Sequence, residues 1–283
     1  MCTRVVISLL CLLTMHPAAQ AATFTVVDLP AAGTDEAIGI DSDKIYTHTF
    51  DFGLGAPVTI NGVAFEQGPS AGVSSAFTGT SLWGYGYTVN STASGVTVDV
   101  HAGNDNINAD GDSNGLLRDM IYHSGGPVGE GTVVTLSDLT PGTTYSMRWY
   151  FRAYSTGANR TITVQADGES HGVFSDTFEI NIDAGGAHYL DYTFTADDTD
   201  VTIRFITHYN NMSAHIYGLS NEVIGVPAGA RPQILHELVT RDFVGLEREV
   251  AVKVARRPDG ARTAKAEVDH VGVGPGGQAG RAR

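Results

Sequence analysis

DVTIRFITH, residues 200–208, alternates non-polar and polar side chains along the chain. Val201, Ile203 and Phe205 fall on one face of an extended strand, whereas Arg204 and His208 fall on the other. Because successive side chains of a strand point to opposite faces of its sheet, this period of two predicts a strand that is buried on one face.

Comparable runs follow one another from Thr23 to Ile224, and Gly, Asn, Asp and Pro residues separate them. About ten such strands without a long helical pattern predict an all-β chain that folds as one antiparallel β-sandwich. The turn LSDLTPGTTY, residues 136–145, places Pro141-Gly142 before Tyr145. This arrangement is typical of the tyrosine corner of β-sandwiches.

The first 21 residues have the features of a secretory signal peptide. Arg4 precedes a non-polar run from Val5 to Leu13, and a small-x-small motif ends at Ala21. The run is shorter than the roughly 20 residues that cross a bilayer, so we expect a secreted protein, extracellular or periplasmic, with no transmembrane segment in the mature chain. Both cysteines lie in this leader, which excludes disulfides and cysteine chemistry from the mature chain.

The charge distribution limits the partners. The formal net charge is −14, and basic side chains are few before residue 225. Since such a surface repels phosphate groups, we expect neither nucleic acid nor anionic lipid as a partner. An acidic surface does suit divalent cations.

An acidic loop, NDNINADGDSNGLLRD, occupies residues 104–119. Its central part resembles the opening of a helix-loop-helix calcium site, in which short oxygen-bearing side chains alternate before a glycine. The twelfth position, which should be Glu, is Ile121. Two hypotheses remain: a polar surface loop, or an irregular structural calcium site. The metal ligands would be Asp105, Asp110, Asp112 and Asn114.

A polar strand face is the second candidate site. In YSMRWYFRAY, residues 145–154, Trp149 and Phe151 face the predicted core and the alternate side chains face away. Arginine and tyrosine side chains of this kind bind the hydroxyl groups and ring faces of sugars, although the same pattern fits a solvated outer face. We therefore predict a set of glycan-binding residues. The set includes two aromatic residues of a loop, Trp83 and Tyr85, which could instead fill the end of the sandwich. Its members are Arg148, Tyr150, Arg152, Tyr154, Arg160, Arg204, His208, Trp83 and Tyr85.

Catalytic motifs are missing from the sequence. It contains neither a Gly-x-Ser-x-Gly elbow nor a His-Glu-x-x-His zinc motif. His188, His208 and His215 could converge with Asp191 into a metal or base cluster, but no catalytic residue is assigned.

The body of the chain resembles a group of bacterial secreted β-sandwich proteins that often carry a PEP-CTERM sorting tail. The resemblance is carried by SDKIYTHTFDFG with TINGVAFEQG (within residues 42–68), GLLRDMIYHSGG (115–126), LSDLTPGTTYSMRWYFRAYSTGANRTITV (136–164) and HIYGLSNEV (215–223). It implies a jelly roll like those of galactose-binding-like and carbohydrate-binding modules, with no enzymatic activity attached. The sorting tail itself is absent, since Val226-Pro227 is followed by Ala228-Gly229 and no non-polar span.

Modules with this fold often hold a structural calcium between the first and last strands. Glu222 in the last predicted strand is the acidic residue placed to join such a site. Its partners would come from the acidic residues of the segment 28–43, unless these are ordinary loop acids: Asp28, Asp35, Glu36, Asp41 and Asp43.

Together these observations predict a signal peptide (1–21), a jelly-roll β-sandwich domain (22–226) and a basic tail (227–283) that is disordered or loosely packed. The expected function is that of an exported, non-enzymatic binding or extracellular-matrix module that recognises an extracellular polysaccharide, with a structural Ca²⁺. The alternative is a secreted polysaccharide hydrolase or lyase that uses the concave face of the jelly roll. The sequence does not predict the oligomeric state.

Overall fold

The computed structural model describes residues 22–30, 34–68, 73–74, 76–92, 98–101, 112–123, 128–152, 160–182, 186–208, 213–226, 254–256 and 262–264. The predicted signal peptide, most of the predicted tail, and Asp105, Asp110 and Tyr154 lie outside the described residues. No helix among the described residues is long and non-polar enough to cross a membrane.

Strands make up most of this structure, with one 3₁₀ helix (Asp35–Ile38) and one short α-helix, α1 (Ser113–Leu116). In chain order the strands are β1 (Thr23–Asp28), β2 (Tyr46–Asp51), β3 (Thr59–Ile60), β4 (Val63–Ala64), β5 (Glu66–Gln67), β6 (Val73–Ser74), β7 (Ala76–Thr80), β8 (Gly86–Ser91), β9 (Val98–His101), β10 (Met120–His123), β11 (Gly131–Leu136), β12 (Thr144–Arg152), β13 (Thr161–Ala166), β14 (Asp176–Asn181), β15 (Ala187–Thr195), β16 (Val201–Thr207), β17 (His215–Ile216), β18 (Gly218–Gly225), β19 (Val254–Arg256) and β20 (Arg262–Ala264).

Two six-stranded sheets form the sandwich in the described part of the chain. The first sheet has the order β1-β15-β12-β18-β2-β5, and the second has the order β14-β13-β16-β11-β8-β7. Their neighbours pair antiparallel, apart from the short parallel pair of β2 and β5. A four-stranded small sheet, β17-β10-β9-β6, adds to these. The predicted all-β, antiparallel jelly-roll sandwich is confirmed.

The main core lies between the two sheets and follows the alternation seen in the sequence. Val201, Ile203 and Phe205 of β16 are fully buried in it. The ring of Phe205 meets Trp149 of β12 edge-on, with centroids 4.7 Å apart. The tyrosine corner is also present, because the backbone N–H of Thr140 donates to the hydroxyl oxygen of Tyr145 at 2.9 Å.

A second core lies on the other face of the first sheet. Residues 34–45, 53–65 and 112–119, here called the covering layer, pack over the outward side of β12 and its neighbours. Ile38, Phe65 and Leu116 of this layer are buried against Tyr150 and Tyr217. Strand β12 is therefore buried on both faces from Tyr145 to Arg152.

The chain divides into two compact units, residues 1–235 and 236–283. The first contains the sandwich. In the second unit, the described residues form an antiparallel pair of strands in which β19 faces β20, with Ala255 opposite Thr263.

Candidate functional site

The predicted ligand face of β12 is a buried interior. Arg148, Tyr150 and Arg152 share one face, as predicted, but they are only 8%, 0% and 1% exposed. The Tyr150 hydroxyl donates to the carbonyl of Ile38 in the covering layer, and the Arg152 guanidinium lies 5.2 Å from the ring centroid of Tyr217. The prediction that these side chains meet a ligand on an open sheet face is corrected, because the covering layer fills the space.

Arg204 and His208 do not join this face. They lie on or just after β16, in the second sheet, and point away from the sandwich in the opposite direction. The Arg204 guanidinium carbon lies 3.6 Å from the ring centroid of Phe174, and His208 Nε2 forms a hydrogen bond with the Thr163 hydroxyl. The prediction that Arg204 and His208 share a glycan-binding face with the side chains of β12 is therefore wrong, since β12 and β16 belong to opposite sheets.

The other three predicted residues are also separated. Arg160 precedes β13 and contacts His215 Nε2 at 2.8 Å. Tyr85 is buried beside His48, with ring centroids 5.5 Å apart, so it is a core side chain. Trp83 is half-buried, and its indole N–H donates to the Thr49 hydroxyl at 3.4 Å.

The predicted histidine cluster does not form. His188 and Asp191 lie three residues apart on β15, so they point to opposite faces of the first sheet. His188 packs near Phe151, whereas Asp191 faces Arg148. His208 belongs to the second sheet and His215 to the small sheet.

A buried charge network occupies the face where the jelly-roll calcium was expected. Arg148 contacts Glu222 Oε2 at 2.9 Å and Asp191 Oδ2 at 3.0 Å. Lys44 from the covering layer reaches the same Glu222 oxygen at 3.0 Å. Glu222 is thus neutralised by two cationic side chains. Among the described residues, no group of three or more His, Cys, Asp or Glu is placed to hold a metal ion.

Asp35, one of the acidic residues of the segment 28–43 that were considered as partners of Glu222 in a calcium site, has a structural role. Its carboxylate accepts the backbone N–H groups of Ser113 at 2.7 Å and Asp112 at 3.3 Å. These are donors at the start of α1 that have no partner within the helix. Asp35 therefore joins two segments of the covering layer, residues 34–45 and the base of the acidic loop.

A cavity of about 620 Å³ opens beside that base. Residues 55–59, Asp112, Gly115, Arg118 and Asp119 line it. We call this the side cavity. Of the four predicted calcium ligands, Asp112 lies on its wall and Asn114 is exposed on α1, while Asp105 and Asp110 belong to the undescribed part of the loop.

Asp119, which lines the side cavity, and Asp51 are both buried carboxylates. Asp119 is 5% exposed and Asp51, at the end of β2, is 3% exposed. Burial, together with the charge of Asp119, raises the pKa of Asp51 to about 8. Sequence reasoning missed this pair, since the two residues are far apart in the chain. The signal that was available is Asp51 itself, an acid within the strand YTHTFD.

The comparisons with known proteins give structural neighbours only. No family model matches the chain, and no curated protein matches it. The CBM22-1 xylan-binding domain of Paenibacillus barcinonensis Xyn10C is similar at 11% identity and a TM-score of 0.34, over 49% of this chain and 87% of that one. The CBM22-1-GH10 modules of Clostridium thermocellum Xyn10B, complexed with xylohexaose, are similar at 10% identity and a TM-score of 0.32. The match covers 50% of this chain and 27% of that one. The ANXUR1 extracellular domain of Arabidopsis thaliana is similar at 12% identity and a TM-score of 0.37. The match covers 63% of this chain and 48% of that one. Similarity at this level identifies neither residues nor a ligand.

The side cavity has the chemistry for a polar, uncharged ligand. Arg118 supplies hydrogen-bond donors, and Asp112 and Asp119 supply acceptors, which together match the hydroxyl groups of a sugar. Pro57 and Val58 add a non-polar wall for the C–H face of a ring. No aromatic side chain lines the cavity among the described residues, so we expect binding to be weak.

Proposed function

We propose that this chain is an exported, non-enzymatic binding module that recognises an extracellular glycan through the side cavity. The observation that carries the proposal is the cavity itself, whose volume of about 620 Å³ falls within the range of small-molecule sites. Its mixture of one guanidinium, two carboxylates and a non-polar wall suits hydroxyl-rich ligands better than ionic ones.

Three further properties belong to the proposal. The leader of residues 1–21 supports export, and the resemblance to secreted proteins of the PEP-CTERM-associated type supports a place outside the cytoplasm. A structural Ca²⁺ bound by Asp105, Asp110, Asp112 and Asn114 is also part of the proposal. Since Asp112 belongs to both the acidic loop and the cavity wall, an ion bound there would affect the site.

Replacing Arg118 with Ala should weaken glycan binding by roughly 10- to 100-fold, because a hydrogen bond to a charged group contributes about 1.5–3 kcal/mol. The measurement is calorimetric titration of the full chain with oligosaccharides found on a glycan array, with xylohexaose included. Arg204→Ala is the matched control, since Arg204 lies on the outer face of the second sheet. This variant should bind glycan with the affinity of the wild type. Equal affinity of the Arg118 variant, or no binding of any glycan by the wild type, would exclude this function.

The alternative function, a secreted polysaccharide hydrolase or lyase, requires Arg, His and Tyr side chains converging on an open sheet face. The covering layer occupies the face where they were predicted. Burial raises the pKa of Asp51, as in a general acid, but Asp51 does not line the side cavity. The closed face of β12 therefore gives this alternative no support where it was predicted.

A further inference from the structure

Asp51 has an uncompensated buried oxygen. Its Oδ1 atom has no hydrogen-bond partner among the described residues, although Asp51 is only 3% exposed. Buried carboxylate oxygens are normally paired, because an unpaired one loses its hydration without replacement. This oxygen therefore marks a place where a partner is expected.

The side chain of Asp51 faces the covering layer, which includes Asp119. Phe50 and Phe52 lie in the core between the sheets, so Asp51 between them lies on the opposite face of β2, under the covering layer. Its neighbours on the flanking strands are Gly218 and Gln67, neither of which carries a charge. Asp119 approaches closely enough for its charge to act on Asp51.

The backbone of residues 53–55 closes around Asp119. A Cβ atom on Gly53 would fall 2.3 Å from Asp119 Cβ, and one on Gly55 would fall 1.8 Å from Asp119 Oδ2, so side chains are excluded at both positions. The side-chain amide nitrogen of Gln67 donates to the carbonyl oxygens of both Gly53 and Gly55. Rotation of that amide by 180° would present its oxygen in place of its nitrogen. The two carboxylates, the two carbonyl groups and the Gln67 amide are thus neighbours in one buried region.

We propose that Asp51 and Asp119, together with the carbonyl oxygens of Gly53 and Gly55 and the side chain of Gln67, bind one Ca²⁺ ion. Ca²⁺ accepts six to eight oxygen ligands from carboxylates, amides and backbone carbonyls in irregular geometry, which is the set present here. Two carboxylates balance its charge. Mg²⁺ fits less well, because it requires near-octahedral geometry at shorter distances. The site shares Asp119 with the end of the acidic loop and with the wall of the side cavity, but it uses none of the four predicted calcium ligands of that loop and not Glu222. Its occupancy does not depend on a glycan.

The test is calcium titration of the full chain after removal of metal with EDTA. We expect Asp51→Asn to bind one equivalent of Ca²⁺ fewer than the wild type, and Asp119→Asn to do the same. Millimolar CaCl₂ should raise the melting temperature of the wild type, whereas MgCl₂ at the same concentration should raise it much less. Asn keeps the shape of Asp and removes its charge, so the Asp51 variant should fold, which its far-UV circular dichroism would verify.

Asp112→Asn is the matched control, because Asp112 belongs to the acidic loop. It should keep the equivalent that Asp51→Asn loses. The proposal is overturned if the Asp51 variant binds as many equivalents as the wild type, or if the wild type binds no Ca²⁺ at all. A calcium response that is lost in Asp112→Asn but kept in Asp51→Asn would place the ion in the acidic loop and would likewise refute the site.

Discussion

Replacing Arg148 with Met should lower the free energy of unfolding by up to about 3–5 kcal/mol, because it removes the counter-charge shared by the buried Glu222 and the partly buried Asp191. Arg148 is the shared partner of Asp191 and Glu222, at 3.0 and 2.9 Å. Lys44 would still contact Glu222, but Asp191 would keep only the hydroxyl donors of Ser146 and Thr193. For a domain of this size the loss corresponds to a fall in melting temperature of roughly 10 °C.

Arg204→Met is the control for this experiment. Arg204 also stacks on an aromatic ring, but it does so on the half-buried outer face of the second sheet. Its replacement should change the free energy of unfolding by less than about 1 kcal/mol, as is usual away from buried networks. Both variants would be followed by chemical denaturation near pH 7. If the two losses were equal, the charge network would have no special part in the stability of the fold.

Acidification from pH 6.5 to 4 should remove about 3 kcal/mol of stability through His48 alone, at roughly 1.4 kcal/mol per pKa unit. Burial lowers the pKa of His48 from 6.5 to about 4. The unfolded chain therefore binds a proton in this window while the folded chain does not. Stability is complete above pH 6.5 and decreases as the pH falls toward the folded-state value. His215, whose pKa burial lowers to about 3, should add to the same trend.

His48→Gln should flatten part of this dependence. The glutamine amide can still donate to the Gly86 carbonyl, which His48 Nε2 contacts at 3.0 Å, but it does not titrate. The matched control is His208→Gln, the same replacement at a half-buried position on the second sheet. Unfolding free energies measured at several pH values between 4 and 7 would decide. An identical slope in the wild type and in His48→Gln would show that this histidine is not the acid-sensitive group.

The sequence predicts those parts of the fold that depend on local pattern. The period of two in β16 correctly identifies the buried face of Val201, Ile203 and Phe205. The Pro-Gly turn before Tyr145 correctly identifies a corner closed by a hydrogen bond to Thr140, five residues away. Both features join residues that are near one another in the chain, so a short window contains the whole interaction.

The candidate site could not be predicted in the same way. The polar side chains of β12 indicate a solvated face, because burial of Arg and Tyr is unfavourable unless partners are supplied. Those partners, Ile38, Asp191 and Glu222, come from three distant segments. The residues of the side cavity and the Asp51–Asp119 pair are likewise brought together only by the covering layer. Nothing in a local window reports a third layer of this kind.

The covering layer also sets the order in which the chain can fold. Ile38 contacts Tyr150, which lies 112 residues later in the chain, and Lys44 contacts Glu222, which lies 178 residues later. During synthesis its non-polar side chains emerge long before the strand that will bury them. Contacts between such distant residues require costly loop closure first, so folding should be slow and should finish only with β18. Until then the nascent chain exposes non-polar segments, which make it prone to aggregate.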